Sequence, residues 1–394
     1  MDERRESFIR LRQSVVSYHD KTKEEFLLHA ITALVHNGAF SLCDGMNPDG
    51  TIASEVYTDV MKNVFDETRK YEQYVSGKML SNVSIWVPTH SKFTWNNNGN
   101  RISELVGEDF LAGQVSMASI VRENNIPFDV IASRNLKNVE DNILVVSDVA
   151  SIRDDEMDAI ESYVRGGGNL YVSGHIGHPR LYELLEVKDR GMTEHSFTYM
   201  NPTEAGIEMF EGFNAKNPLS VDGKQHIVEI NGPCSVLATI SLPFTMEEGE
   251  QFAAIHSNPP GAATDMPAII LKSVGKGKIM WLSAPIEKSK PYMSKRVVHK
   301  LLESLYSQWE FKSNAPSCIE IVGWKKEHKR YFAAINQQEE LPISPIYDVY
   351  IEIPGTIKEA RLLEREEKIS IEYDGKRSRI KLPKIDIFHI VEVE

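Results

Sequence analysis

Two stretches of this chain carry residues whose types and spacing could do chemistry. Val172-Ser173-Gly174-His175 puts a hydroxyl two residues from an imidazole, on a glycine-containing turn after an apolar run. Nucleophilic catalysis needs a base within hydrogen-bond reach of such a hydroxyl. The G-x-S-x-G elbow that presents a catalytic serine is not matched, because Tyr171 stands where its first glycine belongs. A structural strand-to-loop turn is the preferred reading of Ser173 and His175, with ligand contact at a strand end as the functional one. The second stretch is Asp44-Gly45-Met46-Asn47-Pro48-Asp49-Gly50, which follows the apolar strand Ala39–Cys43. Glycoside hydrolysis uses two carboxylates that face each other across the scissile bond. Two on one loop rarely achieve that geometry, so Asx-turn residues shaping the loop are the plainer account of Asp44 and Asp49.

Other candidates are weaker. Val274-Gly275-Lys276-Gly277-Lys278 lacks the Walker spacing and precedes a strand instead of a helix, so a hairpin turn is expected. Gly166-Gly167-Gly168 ends a helix, and a helix C-terminus repels anions. The twelve histidines include no HExxH, and His175 with His178 has no acidic or cysteine companion beside it in the chain. No metal site and no cofactor are expected. Lys325–Arg330 is a basic run between two strands and reads as a solvated hairpin tip.

The elements that must position these residues centre on 141–175. Ile143-Leu144-Val145-Val146 is a strand buried on both faces. Ser151 with Asp154 reads as a capping box, and Met157, Ile160 and Val164 share a helical face. Leu170-Tyr171-Val172 opens the next strand, which completes a βαβ unit with an expected right-handed crossover. Upstream, Thr22 with Glu25 caps a helix through Leu34, and a long helix is expected from Ser54 to about Tyr74. Val83–Val87 and Phe128–Ile131 are strands. Between them lies a helix from Glu104 to about Asn124 with Leu111, Val115, Ala118 and Val121 on one face. Alternation of this kind indicates a doubly wound parallel sheet, flavodoxin-like in outline. Short strands follow at His226–Ile230, Val236–Ile240, Phe252–His256, Ala268–Leu271 and Lys278–Leu282, and a helix at about Lys295–Trp309. The tail from Ser313 alternates as an antiparallel sandwich.

The chain has 394 residues, 41% hydrophobic and 26% charged, with a net charge of -13. That balance is of an ordinary globular protein and argues against a nucleic-acid backbone or an anionic membrane as partner. Cys43, Cys234 and Cys318 form no CxxC pair, which fits a reducing, cytoplasmic compartment. The N-terminus is charged without an apolar h-region, and no run approaches the ~18–20 apolar residues of a membrane helix.

Three long motifs carry a resemblance. HNGAFSLCDGMNPDG, the stretch from PFDVIASRNL through ILVVSDVASIRDDEMDAIESYVRGGGNLYVSG, and AAIHSNPPGAATDMPAIILKSVGKGKIMWLSAPIE resemble bacterial glycoside-hydrolase-like proteins. In these an α-amylase- or fucosidase-like (β/α)₈ barrel precedes a β-galactosidase-type trimerisation domain of class I glutamine amidotransferase-like fold. A β-sandwich closes them, and PISPIYDVYIEI and KLPKIDIFHIVEVE resemble it. The amidotransferase cysteine and His-x-Glu pair are missing here. A whole barrel needs about 250 residues, so only a last barrel segment is expected. The resemblance implies a partial barrel at 1–76, an amidotransferase-like domain at 77–311 and a β-sandwich at 312–394. It implies Asp44 and Asn47 as rim residues of a sugar subsite, a carbohydrate partner, and homo-oligomerisation as dimer or trimer.

Three functions follow as expectations. One is the C-terminal portion of a glycoside hydrolase, structural and oligomerising. Another is a carbohydrate- or metabolite-binding protein using the strand-end crevice near Thr89, Ser147-Asp148 and Ser173–His175, where open α/β sheets bind ligands. The last is an enzyme using Ser173 or the Asp44 loop.

Overall fold

The computed structural model describes residues 5–10, 22–43, 48–51, 56–88, 90, 111–246, 258–338 and 342–394. Asp44, Asn47, Thr89 and the strand expected at Phe252–His256 lie outside them. The chain divides into two compact units. One combines Met1–Ser81, Arg122–Pro127 and Glu310–Glu394, and the other Asn82–Val121 and Phe128–Trp309.

The first unit opens with β1 (Arg5–Arg10), α1 (Lys23–Val35) and β2 (Gly38–Cys43), and the two strands pair in parallel. The Thr22 capping box forms as expected. Thr22 Oγ1 accepts from Glu25 N at 3.3 Å, and Thr22 N donates to Glu25 Oε2 at 2.7 Å. Asn37 at φ 58° turns the chain from α1 into β2. The long helix expected to Tyr74 is shorter. A π-helical turn, Val56–Met61, leads into α2 (Lys62–Arg69), and turns follow. Past Arg69 the bonding tightens to three-residue turns, with Tyr71 N donating to Thr68 O at 3.0 Å and Tyr74 N to Tyr71 O at 2.9 Å, and side chains take the carbonyls at the end of the segment. Lys326 Nζ donates to Val75 O at 2.8 Å, and Trp324 Nε1 to Tyr74 O at 2.8 Å. The short strand β3 (Lys78–Met79) follows.

In the second unit the chain runs β4 (Val83–Val87), α3 (Ala112–Glu123), β5 (Phe128–Ala132), β6 (Ile143–Val149), α4 (Asp154–Gly166) and β7 (Asn169–Ile176). Then come α5 (Pro179–Leu185), β8 (Val187–Met192), β9 (Phe197–Pro202), β10 (Leu219–Asp222), β11 (His226–Ile230), β12 (Ser235–Pro243), β13 (Pro260–Val274), β14 (Gly277–Leu282) and α6 (Tyr292–Leu305). A nine-stranded sheet runs in the order β10-β9-β12-β13-β14-β7-β6-β4-β5, and a separate ribbon pairs β11 with β8.

The sheet is mixed, which corrects the expectation of a parallel one. Neighbours from β14 through β5 pair in parallel and the rest antiparallel. The two-residue turn Gly275-Lys276 joins β13 to β14, and only antiparallel strands accept so short a link. Ile143–Val146 is buried on both faces, and Leu144 and Val146 pack with Met157, Ile160 and Val164 of α4 in one core. That helix starts at Asp154 with Arg153 as N-cap, not at Ser151. Arg153 N donates to Glu156 Oε2 at 2.9 Å, the second half of a capping box. Gly167, at φ 124°, ends it as the triple glycine predicts.

The face expected of α3 is also corrected. Gly113, Gln114, Met117, Ile120 and Val121 are buried, while Val115 is 60% exposed. Gln114 lies inward because its Nε2 donates to Ser147 O at 2.8 Å. A polar residue on the core face hides that face from a hydrophobic pattern.

The chain then returns to the first unit with β15 (Lys312–Ser313), β16 (Ile319–Lys326), β17 (Lys329–Asn336), β18 (Tyr350–Pro354), β19 (Ala360–Leu362), β20 (Glu367–Lys368), β21 (Ile371–Tyr373), β22 (Arg377–Lys381) and β23 (Phe388–Val393). They form two sheets, β15-β18-β22-β21 and β20-β19-β23-β17-β16-β3, antiparallel throughout. Phe332, Ile321 and Val391 meet Ile351, Ile353 and Ile380 in the core these sheets share. The six-stranded sheet turns Val322, Trp324 and Ile335 the other way, onto Phe26, Ile31 and Val64 of α1 and α2. Lys325–Arg330 is a hairpin tip as expected, with Glu327 at φ 55°. No described helix is long and apolar enough to cross a membrane.

Candidate functional site

Parallel pairing aligns the carboxyl ends of β6, β7 and β14. Ser147 stands opposite Ser173, and Ser173 opposite Leu282. Open α/β sheets bind ligands at such ends. Two tiers of polar side chains lie here.

The inner tier is buried. Ser147 Oγ and Ser173 Oγ both donate to Glu287 Oε1, and Tyr171 OH donates to Glu287 Oε2 at 3.1 Å. Glu287 sits on the short turn after β14 and is 1% exposed. Burial pushes its carboxyl above the ordinary value, the serine hydrogen bonds oppose the rise, and the Asp148 charge adds to it. Burial and then the Glu287 carboxyl likewise push the Tyr171 phenol up. Three hydroxyl donors, reaching both carboxyl oxygens, offset part of the cost of burying this group.

The outer tier is more open. Asp148 Oδ1 accepts from His175 Nδ1 at 2.7 Å, and Asp148 Oδ2 accepts from Lys288 Nζ at 3.0 Å. Burial alone would raise the Asp148 carboxyl. The His175 bond and the Lys288 charge outweigh that, and its pKa lies at about 2. With Nδ1 donating, a neutral His175 ring carries its lone pair on Nε2. The His226 ring stands edge-on to His175, 5.3 Å between centroids. Burial and then the neighbouring His175 hold His226 below its usual pKa. His226 is fixed through its backbone, which donates to Ser283 O at 2.9 Å. Beside it, Gln225 Oε1 accepts from Ser283 Oγ at 2.6 Å, and Gln225 Nε2 donates to Thr198 Oγ1 at 2.9 Å.

The backbone is bent where the tiers meet. Asp148 has φ 49° and Gly174 φ 64°, both left-handed, and a Cβ at Gly174 would lie 2.4 Å from Asp148 Oδ1. Glycine is required there by its positive φ and by the carboxylate beside it.

Of the residues expected to contact ligand, Ser173 and His175 belong to this cluster, and Asp44 and Asn47 lie outside the described residues. Ser173 is turned inward and fully buried, while the His175 side chain is 44% exposed. Ser147-Asp148 joins them, as the strand-end reading expected. Glu287, Lys288 and His226 were not foreseen. The signal available for the first two was Ala284-Pro285-Ile286-Glu287-Lys288, a loop that directly follows an apolar strand. Asp49 makes the local turn expected of it, accepting from Thr51 N at 3.0 Å and Thr51 Oγ1 at 2.7 Å. His178 pairs in space with Asp154 at 2.9 Å. Among the described residues no group of three or more His, Cys, Asp or Glu is placed to hold a metal ion.

Two clefts of the same unit are lined by none of these strand-end residues. One, of about 690 Å³, is lined by Arg165, Arg180, Glu186, Cys234 and Lys272, and the other, of about 620 Å³, by Glu140, Asp141, Asn142 and Tyr163. The cations of the first are paired locally, Arg165 with Glu161, Arg180 with Asp158 and Lys272 with Glu186.

No protein-family model matches the chain, and no curated protein matches its sequence. Solved structures do resemble it. α-L-Fucosidase isoenzyme 2 from Paenibacillus thiaminolyticus superposes with a TM-score of 0.73 at 15% identity, over 95% of this chain and 57% of that one. A GH42 β-galactosidase from G. stearothermophilus gives a TM-score of 0.62 at 13% identity, over 95% and 51%. The β-galactosidase from Bacillus circulans sp. alkalophilus gives 0.62 at 12%, over 93% and 51%. The chain thus spans little more than half the length of these structures. At such identities the likeness is one of fold: a large mixed α/β sheet with strand-rich sheets, shared with glycoside hydrolases.

Proposed function

We propose that this chain is the supporting and assembling part of a carbohydrate-processing protein of glycoside-hydrolase type, and that it does not itself cleave a glycosidic bond. The observation that carries this is the lopsided coverage: 95% of this chain superposes on 57% of the fucosidase and on 51% of a β-galactosidase. The division at 1–76, 77–311 and 312–394 is part of the reading. The parallel β1-α1-β2 unit supports a partial (β/α) barrel segment. The five parallel strands, counted in chain order, run 2-1-3-4-5, which supports a flavodoxin-like, amidotransferase-like middle domain. The shared core of the two C-terminal sheets supports a β-sandwich. Asp44 and Asn47 are proposed as rim residues of a sugar subsite, and the compartment as cytoplasmic. Dimer or trimer formation through the middle domain is the proposed role. Sedimentation velocity at micromolar concentrations should give a mass of two or three chains, and a monomer at every concentration would refute the assembly role.

A second reading is favoured by the outer tier. A carboxylate holding an imidazole and an ammonium at strand ends offers hydrogen-bond donors and acceptors to a small polar ligand, a carbohydrate or a metabolite. Titration calorimetry with fucose and galactose, repeated on Asp148→Asn, tests it. Heat of binding abolished by that substitution supports the reading, and equal heats in both proteins refute it.

A further inference from the structure

Three strand ends converge on one carboxyl, although Ser147 and Ser173 are 140 and 114 residues from Glu287 in sequence. Both inner serines and the carboxyl itself are followed closely in the chain by an outer residue: Ser147 by Asp148, Ser173 by His175, and Glu287 by Lys288. On two of the three strands a left-handed residue, Asp148 itself or Gly174, redirects the chain just past the serine. A non-glycine residue in that conformation costs about 1–3 kcal/mol and persists only where its surroundings over-determine it. Here they do so from both sides, since Glu287 holds the preceding serine while His175 and Lys288 hold the Asp148 carboxylate.

We propose that Glu287 is a positioning residue: from beneath the surface its one carboxyl spaces the three strand ends, and so sets Asp148, His175 and Lys288 in their mutual geometry. The inference rests on the reading of these ends as a ligand site. An apolar side chain would fill the same space without the cost of desolvating a carboxyl. What it could not do is accept both serine hydroxyls at one atom. Hydroxyls at both of its oxygens give the Glu287 carboxyl partners in its buried place, so it keeps that place without a counter-ion beside it.

The test uses the full chain with ¹⁵N-labelled histidine, reading the imidazole resonances of His175. In the wild type they should show the Nδ1–H tautomer with a slowly exchanging proton. Glu287→Gln keeps an oxygen for the serines and gives Tyr171 a donor, and should leave that pattern unchanged. Glu287→Leu should stay folded by circular dichroism yet lose the protected Nδ1–H resonance. An unchanged His175 pattern in a folded Glu287→Leu protein would overturn the proposal. Should that variant not fold, Ser147→Ala and Ser173→Ala remove one spoke each. Loss of the resonance in either supports positioning, and its retention in both overturns it. Adding galactose or fucose to the wild type separates the two ideas. Unmoved His175 resonances at high sugar would count against the carbohydrate reading and leave the positioning result standing.

Discussion

At the scale of single residues, Asp148 links the strand ends to pH. Its folded-state pKa of about 2 lies below the 3.8 usual for an aspartate side chain, so the folded state binds this proton less readily than the unfolded chain. The stabilisation is therefore complete above the unfolded value and is lost as pH falls from about 4 towards 2; at ~1.4 kcal/mol per pKa unit it amounts to about 2–3 kcal/mol. Urea unfolding at pH 5 and at pH 2.5 should show this loss, and Asp148→Asn should remove that part of it. Glu287 has the opposite sign. Its raised value means stability present at low pH and lost as pH rises through the folded pKa. Glu287→Gln should flatten that dependence. Gly174→Ala would place a methyl 2.4 Å from Asp148 Oδ1 at φ 64°, and should cost about 2 kcal/mol or more, seen as a lowered Tm. Half of this cluster was legible in sequence. Ser147-Asp148 and Ser173–His175 both end apolar runs, which marks them as strand-end residues. Glu287 and Lys288 were not, because their place depends on β14 pairing with β7, and the intervening hundred or so residues give no local sign of that partner.

At the scale of elements, the βαβ unit around 141–175 was readable because its buried strand and amphipathic helix each carry the period of their own structure. The strands β8, β9 and β10 were not. β8 reads Val-Lys-Asp-Arg-Gly-Met and is exposed after its first residue, and β9 ends in Asn-Pro. Helix α3 shows the limit of apolar patterning. If Gln114, Met117 and Val121 face the core, Met117→Ala should cost about 2–4 kcal/mol and Val115→Gln less than about 0.5 kcal/mol. The reverse order, in paired denaturant melts, would restore the other face. In the first unit, the nearly buried Glu320 joins α1 to the sheet. It accepts from His36 Nε2 at 2.9 Å and from Gln337 Nε2 at 2.7 Å. Burial pushes its carboxyl up, but these partners prevail and hold it below the usual value. Glu320→Ala removes this shared acceptor, while Gln337 Nε2 keeps Thr32 Oγ1 at 3.0 Å, and a loss of about 1–3 kcal/mol is expected in the same melts.

At the scale of the whole molecule, the account rests on what the chain resembles and on what its residues can do. Its fold is shared with about half of a fucosidase and of β-galactosidases. In its strand-end cluster the serine is buried against a glutamic acid instead of facing a substrate. The net charge of -13 disfavours anionic surfaces as partners and is compatible with neutral sugars and with further copies of the chain. The most direct test of the central claim is hydrolysis of a panel of aryl glycosides, fucosides and galactosides included, by the purified chain, with Asp44→Asn as control. The account predicts release of aryl alcohol no faster than in buffer for every sugar. Turnover that disappears in Asp44→Asn would contradict it and would make Asp44 part of a working active site.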